Sequence, residues 1–351
     1  MALTSLRASS IRLDLMSIRG IMIGIITARA PQIFEISVTR KVHGCYLWDH
    51  FHCRKSFVRK FLQETMGWLL CCSTRPGKKT PDSVTYILTN AYFCLVHTIS
   101  HNTVSSTLIV NTDQTLVTYS AGASETYAPK GSKQVEVVGK DEKRGFTLVV
   151  GISMSGEALP FQVIYAGKSN RSLPSPKALD YQKATEVLRF QIESGGDNHW
   201  STLSTMKNYV QYTLAPYFEN HRQDLNQICI WQIDCWSVHR SAEFCYWMHN
   251  TYPWISIHYV PANCTGLFQP CDVGIQRVLK LAIRRTALQD IISDTTEQLG
   301  QGVESRMVDF EKRLPVVRDR SVRWLVHGYE AINNPELIKK VKSNSIHRFS
   351  N

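Results

Sequence analysis

The ten cysteines of this sequence include no Cys-x-x-Cys pair, and the chain has no internal repeat or low-complexity tract. Without such pairs we expect neither a disulfide framework nor a common zinc module, so a reducing cytosol or nucleus is the expected compartment. Residues 43–53 hold three His and two Cys, but no second ligand pair follows at a distance. We therefore favour aromatic packing over zinc binding for this segment.

Long apolar runs are also missing. The most apolar early segment, Ile21–Ile26, is far shorter than the roughly 18 to 20 apolar residues of a membrane span, and Arg19 and Arg29 flank it. The chain begins without the pattern of a secretory signal. We expect no membrane partner. Apolar residues make up 43% of the 351, which is enough for a substantial core.

Acidic residues are scarce at the beginning of the chain. Residues 1–80 carry 13 Lys and Arg against 4 Asp and Glu, whereas the remainder carries 27 against 25. Such an imbalance favours a polyanionic partner, because each phosphate that a basic side chain neutralises releases counterions. A merely soluble basic protein is the alternative. The basic turn at residues 75–79 is typical of a linker and also resembles a short nuclear-import signal.

The middle of the chain alternates β-type and turn signals. Segments 107–111, 145–154 and 159–166 predict an antiparallel meander, because hairpin residues separate the second from the third. A short additional strand is predicted over 186–192. Lysines in the polar loop 130–143, among them Lys130 and Lys133, could contact a phosphate backbone or simply be solvated.

Two later segments, 228–234 and 254–260, are apolar on both faces, as parallel strands are when helices cover both sides. Residues 241–250 predict the crossover helix that connects them. Four further helices are predicted over 56–70, 80–96, 202–218 and 272–290. A helical tail is predicted after the glycines at 300 and 302.

Three aspartates stand where these elements end or begin. Asp113 and Asp234 close apolar runs, and Asp272 lies in a first helical turn, where the helix dipole favours an anion. For each acid alone, a plain role at a strand end or helix start is the commoner explanation. Together they suit Mg²⁺, which prefers carboxylate oxygens and substrate phosphates. Two such ions about 3.5 to 4 Å apart can promote phosphoryl transfer without a protein nucleophile.

Five motifs occur in order along the chain: Asn111-Thr-Asp-Gln-Thr115, Lys130-Gly-Ser-Lys133, Ile233-Asp-Cys-Trp-Ser-Val-His239, the segment Tyr259–Gly274, and the helix with Lys280. Over roughly residues 53–335 the chain resembles the DDE-type transposases of the pogo and Tigger branch of the mariner superfamily, the group that also gave rise to centromere protein B. Within Tyr259–Gly274, the motif Gly266–Gly274 is specific rather than generic.

The resemblance implies an α/β fold, an RNase H-like mixed sheet of three antiparallel plus two parallel strands flanked by helices. It places the first acid at the end of strand one, the second at the end of strand four and the third on the helix after strand five. Asp113, Asp234 and Asp272 match these positions, at intervals of 121 and 38 residues. His239 matches a histidine that the family places near the site, where it could orient a carboxylate or touch the scissile phosphate; a structural histidine with satisfied hydrogen bonds is the alternative.

Divalent Mg²⁺ or Mn²⁺ is the implied cofactor, with DNA as the partner and a nuclear location. Whether the chain forms a homodimer is left open. In the resemblance, Arg277, Lys280 and Arg284 on the last helix reach DNA phosphates, although their stems could equally cover apolar surface.

The predicted organisation is a basic segment over 1–79 with a remnant of a helix-turn-helix domain and a linker, a catalytic domain over 80–292, and a helical extension over 293–351. Relatives usually carry two helix-turn-helix units, whereas here only about residues 51–68 resemble the tail of the second, so the resemblance implies an N-terminally truncated member. Cys235 stands where many relatives have Asn.

The favoured function is therefore metal-dependent DNA phosphodiester cleavage and strand transfer through an Asp-Asp-Asp triad. The alternative is a catalytically silent, domesticated DNA-binding protein, which the missing recognition domain favours. An RNA-cleaving hydrolase of the same fold is a weaker third hypothesis, because the flanking motifs resemble transposases.

Overall fold

The computed structural model describes residues 3–4, 15–42, 45–69, 83–119, 143–303, 307, 309 and 311–346. The chain forms two compact units, Met1–Lys79 and Thr80–Asn351. Within the described residues, no helix is both long enough and apolar enough to span a membrane.

Among its described residues from 15 onward, the first unit contains two α-helices and one pair of antiparallel strands. Helix α1 (Leu15–Arg29) and a 3-10 turn precede strands β1 (Ser37–Val42) and β2 (Cys45–His50), which pair antiparallel. Helix α2 (Lys55–Lys60) continues into a π-helical turn that ends at Thr65, so it is shorter than the 56–70 helix predicted from the sequence. Gly67, with φ of +64°, ends it, because this backbone conformation cannot continue a helix.

The second unit is built on one mixed sheet. Helix α3 (Val84–His101) precedes strand β3, and the strands are bounded as follows: β3 Ile109–Thr118, β4 Gly145–Ser153, β5 Gln162–Tyr165, β6 Gln191–Ser194, β7 Cys229–Asp234 and β8 Ile255–Val260. Their order across the sheet is β6-β5-β4-β3-β7-β8. Strands β3, β4 and β5 form the antiparallel meander, and β7 and β8 run parallel to β3 on its other side. The α/β, RNase H-like fold is thus confirmed.

A sixth strand extends this sheet at the edge beyond β5. The strand predicted over 186–192 was wrong in position, since Lys183–Val187 is a π-helical turn and β6 begins at Gln191. The amide of Leu188 donates to the Lys183 carbonyl, which completes that turn, and Arg189 adopts φ of +56°. Only after this reversal can the chain pair in parallel with β5.

The remaining helices follow the strands in chain order. They are α4 Leu203–Tyr209, α5 Ala215–His221, α6 Ala242–Thr251, α7 Thr265–Phe268, α8 Gln276–Gly300, α9 Leu314–Ile332 and α10 Pro335–Ile346, with π-helical turns at Val210–Leu214 and Cys271–Ile275. The crossover helix α6 is confirmed, with the Ser241 hydroxyl accepting from the Phe244 N–H at 3.2 Å as its N-cap.

Helix α8 continues ten residues beyond the predicted end at 290, to the glycine break at 300. Its second half is fixed to α9 by ion pairs that sequence periodicity does not reveal. Arg320 contacts Asp294 at 2.7 Å, and Arg323 pairs with Asp290. Gly328 lets the two helices approach closely, because a Cβ there would stand 2.8 Å from Leu279 Cδ1.

Apolar layers cover both faces of the sheet. One layer packs alternate β4 residues, such as Leu148 and Val150, against helices α8, α9 and α10. The other packs β7 and the opposite face of β4, including Val149, against α4, α5 and α6. Because both layers are dry and continuous, the central strands form a rigid platform for side chains at the sheet edge.

Candidate active site

The three aspartates predicted from the sequence lie around one end of the central strand pair. Asp113 is the fifth residue of β3, so the prediction that it ends strand one was wrong. Strand β3 continues to Thr118 because its ladder with β4 runs on from Asp113↔Val150 to Thr118↔Gly145. The parallel pairing with β7 covers only Ile109–Asn111. Asp113 therefore lies just past the point where β3 and β7 stop pairing.

Asp113 is held by two amide donors. Its Oδ1 accepts the backbone N–H of Gln114 at 2.8 Å, and its Oδ2 accepts the side-chain amide of Gln276, the first residue of α8. These contacts fix the direction of the carboxylate toward the start of α8.

Asp234 is the last residue of β7, as predicted, and His239 stands behind it. The Nδ1 atom of the buried imidazole lies 2.9 Å from Asp234 Oδ1, and the Nε2 atom lies 3.4 Å from the Gln114 side-chain amide. With Nδ1–H donating to Asp234, Nε2 is left as the acceptor for Gln114. His239 is thus placed to orient the Asp234 carboxylate. Its other ring nitrogen contacts Gln114, the residue that follows Asp113.

Asp272 lies in the π-helical turn that precedes α8, and buried hydrogen bonds attach this segment to β3. The Asn111 amide donates to the Gln232 carbonyl at 3.1 Å, and its Oδ1 accepts the Cys271 N–H at 3.0 Å. Gln269 donates to the Thr112 carbonyl at 3.1 Å. Asn111 therefore joins the strand of Asp113, the strand of Asp234 and the turn of Asp272.

Burial and charge act together on Asp113. The pKa of Asp113 is raised well above its usual range, chiefly by burial and then by the charge of Asp272. Asp234 raises this pKa further, while the Gln114 N–H opposes the shift. A proton on Asp113 therefore relieves part of the repulsion among the three carboxyl groups.

Basic side chains on α8 fall into two groups. Burial lowers the pKa of Lys280, while the charges of Asp113 and Asp272 oppose that shift, so this half-buried amine stands beside the acids. Arg277 and Arg284 are exposed on the same helix. Lys130 and Lys133, predicted to contact phosphate, lie outside the described residues.

The residues present fit a divalent cation by their chemistry. The pKa of Asp113 is raised first by burial and then by the charges of Asp272 and Asp234, and a cation bound among the three carboxylates would relieve their repulsion. In the described part of the chain, as its side chains are placed, no three His, Cys, Asp or Glu residues form a ready-made metal cluster. Asp113, Asp234 and Asp272 are the residues that would hold the ion.

Four supporting residues went unrecognised in the sequence. Asn111, Gln114 and Gln269 stand inside the motifs described above, yet the motifs did not show which groups these amides bond. Gln276 gave no signal at all, because an amide that orients a carboxylate can occupy any position that the fold brings near. The contacts of Gln114 and Gln276 join residues more than 120 positions apart in the sequence.

Comparison with known proteins assigns the class. The sequence pattern described as DDE superfamily endonuclease matches residues 143–337, more than half of the chain. The chain belongs to the DDE superfamily endonuclease family. Asp234 and Asp272 lie inside the matched residues, and Asp113 precedes them. Among curated proteins, no sequence matches the chain.

Several solved structures are similar to part of this chain in backbone structure. The Mos1 mariner paired-end complex with Mn is 10% identical, with a TM-score of 0.49, and the match covers 84% of this chain and 69% of that one. The Mos1 strand transfer complex is 10% identical, with a TM-score of 0.48 and coverage of 84% and 68%. The Mos1 catalytic domain is 11% identical, with a TM-score of 0.31 and coverage of 76% and 96%.

The two buried hydrogen bonds of the Asn111 side chain, which we call the Asn111 brace, give a first prediction. In Asn111→Leu, the Gln232 carbonyl and the Cys271 N–H lose their partners in a dry site, and each buried unpaired group costs about 1 to 3 kcal/mol. We expect the free energy of unfolding from urea titration to fall by about 2 kcal/mol or more. Asn102→Ala, which removes one exposed bond to Thr98, is the control and should change it by under about 0.5 kcal/mol. An equal loss of unfolding free energy in the two variants would show that the Asn111 hydrogen bonds do not stabilise the fold.

The raised pKa of Asp113 gives a second prediction. Near pH 4 the carboxyl group is largely protonated in the folded protein; as pH rises through the raised folded pKa, the folded state must ionise beside Asp272 and Asp234 and loses stability. Asp113→Asn removes this loss. In chelator at pH 8, the variant should therefore be more stable than wild type, by about 1.4 kcal/mol for each unit of raised pKa.

This second prediction is checked by urea unfolding at pH 5 and pH 8. Asp224→Asn, at an exposed position outside the site, is the matched control and should follow the wild type. An Asp113→Asn protein that is no more stable than wild type at pH 8 would show that the three acids do not repel one another.

Proposed function

We propose that the chain is a transposase-derived DNA endonuclease of the pogo and Tigger branch, which cleaves DNA phosphodiester bonds and transfers strands with Mg²⁺ or Mn²⁺. The observation that carries the proposal is the convergence of Asp113, Asp234 and Asp272, in which two of the acids raise the pKa of the third. Membership of the DDE superfamily endonuclease family supports the reaction class.

Each residue has a proposed task in this reaction. Asp113, Asp234 and Asp272 would hold the divalent ions, which when bound activate an attacking oxygen and stabilise the leaving one. His239 holds the Asp234 carboxylate through Nδ1. Gln276 holds the Asp113 carboxylate in the same way from the start of α8. These contacts reduce the reorganisation that the carboxylates need when phosphate arrives.

DNA contact falls to the basic side chains near the acids. Lys280 lies beside Asp113 and Asp272, where a scissile phosphate would be, and its half-buried position makes it a short-range contact. Arg277 and Arg284 are exposed on the same helix and are proposed to contact the flanking DNA backbone. Lys130 and Lys133 are proposed to contact the backbone as well.

The test is a nicking assay on supercoiled DNA with purified protein. We expect Mg²⁺- or Mn²⁺-dependent nicking that falls at least about 100-fold in Asp234→Ala, since an essential acid is removed. Asp197→Ala, in an exposed ion pair with Lys168, is the matched control and should nick like wild type. Circular dichroism and the unfolding midpoint must show that the variants are folded.

Two outcomes would reject the proposed endonuclease activity. Nicking that persists in Asp234→Ala would come from a contaminant or another site. Salt-sensitive DNA binding without metal-supported cleavage on any DNA would instead support the catalytically silent, DNA-binding alternative, because phosphate contacts weaken steeply with salt.

We further propose a nuclear location, supported by the DNA-directed chemistry and the basic residues Arg75, Lys78 and Lys79. A fluorescently tagged chain is expected to accumulate in nuclei at least about twofold over the cytoplasm, because importins bind such basic runs. Lys78→Ala with Lys79→Ala should reduce this ratio, whereas Lys339→Ala with Lys340→Ala should not. Equal nuclear and cytoplasmic signal for the unaltered chain would reject the proposal.

A further inference from the structure

Helix α3 carries two histidines that the proposed endonuclease reaction does not use. His97 and His101 lie four residues apart in its last two turns, and both side chains are exposed. Their rings stack, with centroids 5.7 Å apart and planes 17° from parallel. Within the described part of the chain, neither ring takes part in a hydrogen bond or an ion pair, so no protein group there competes for the ring nitrogens.

The histidine pair stands on the side of α3 that faces away from the core. Leu88 and Leu95 are the buried residues of this helix. At about 100° per residue, His97 and His101 lie about 40° apart around the helix axis and at least about 120° from both leucines. At about 1.5 Å per residue they are about 6 Å apart along the axis. The two imidazoles are therefore neighbours on one solvent-facing surface.

The end of α3 is fixed before any ligand binds. The backbone N–H of Asn102 donates to the Thr98 carbonyl at 3.2 Å, and the Asn102 side-chain amide donates to the same carbonyl at 3.0 Å. The Val104 N–H donates to the Ile99 carbonyl at 3.0 Å and closes the helix end. Ile99 also packs against the apolar layer of β7. Because the backbone is held on both sides of His101, the spacing of the two rings is set by the fold.

This spacing matches that of two imidazoles on one metal ion. Bonds from Zn²⁺ to histidine nitrogen are about 2.0 to 2.1 Å long, so a ring centroid lies about 3.2 Å from the ion and two rings on a tetrahedral ion have centroids about 5.2 Å apart. The observed separation of 5.7 Å is about 0.5 Å larger than this value. Small changes in the side-chain torsions close such a gap, because the terminal torsion of histidine is broad.

The chemistry of the pair selects the class of ion. Imidazole nitrogen suits Zn²⁺, Cu²⁺ and Ni²⁺, whereas Mg²⁺ takes oxygen ligands. The pair also lies at the C-terminal end of α3, where the negative end of the helix dipole favours a cation. Among the residues that the structure describes, no third His, Cys, Asp or Glu completes a cluster. Water therefore fills the remaining coordination positions.

We propose that His97 and His101 form a two-histidine site on the exposed face of α3 for a transition-metal ion of the Zn²⁺, Cu²⁺ or Ni²⁺ class. The inference is independent of the proposed endonuclease activity, because none of the three aspartates takes part. Cys94 is exposed on the same face, but residues 94 and 101 are about 10 Å apart along the helix axis. Its thiol is therefore not a ligand of an ion held between the two histidines.

The experiment is calorimetric titration of the full chain with Ni²⁺ near neutral pH, in excess Mg²⁺ so that the acidic site is filled. His101→Ala removes one ligand. Val96→His with His97→Val is the matched variant, because it keeps the composition but moves one imidazole to about 140° from His101 around the helix. Val96 is 38% exposed and tolerates a polar side chain. Cys94→Ser removes the neighbouring thiol.

We expect wild type and Cys94→Ser to bind one more Ni²⁺ ion than the other two variants, or to bind it at least about tenfold more tightly, because two ligands on one helix chelate the ion. Acidification to about pH 5 should abolish this binding, since protons then occupy the imidazoles. Equal binding by wild type and the Val96→His, His97→Val variant would overturn the site. Loss of binding in Cys94→Ser would also overturn it, because a thiol would then be required. Circular dichroism of each variant verifies its fold.

Discussion

Repulsion among three carboxylates is the constraint on which this structure depends. Asp113, Asp234 and Asp272 come from points 121 and 38 residues apart, and the fold must hold them together although their charges oppose it. Burial and then the charges of Asp272 and Asp234 raise the pKa of Asp113. Such a site persists only where the surrounding structure leaves the side chains no other position.

The opposing force comes from rigid packing and a few buried amides. Apolar layers on both faces fix the strands, and Asn111 then connects β3, β7 and the turn before α8 in a single side chain. Buried hydrogen bonds of this kind add little net stability when made, but they are expensive to break. Because of this asymmetry, Asn111 holds the turn of Asp272 in position: displacing that turn would leave buried groups unpaired.

The elements that the sequence predicted correctly are those whose signals are local. Strand β7 ending at Asp234, the crossover helix α6 and the first-turn position of Asp272 follow from apolar runs and helix-start residues. The prediction was wrong where a distant partner decides, as for β3, which continues past Asp113 because β4 extends beside it. The site's amides were missed for the same physical reason, since Gln276 meets Asp113 only after the sheet and α8 have assembled.

Helix α8 carries the part of the site that the strands do not. At its first residue, Gln276 bonds the carboxylate of Asp113, and one turn later Lys280 stands beside the same acids. The second half of the helix is fixed to α9, because Asp290 and Asp294 form ion pairs with Arg323 and Arg320. Since α9 packs in the same apolar layer as β4, the helix that positions Gln276 and Lys280 is anchored to the sheet that positions Asp113.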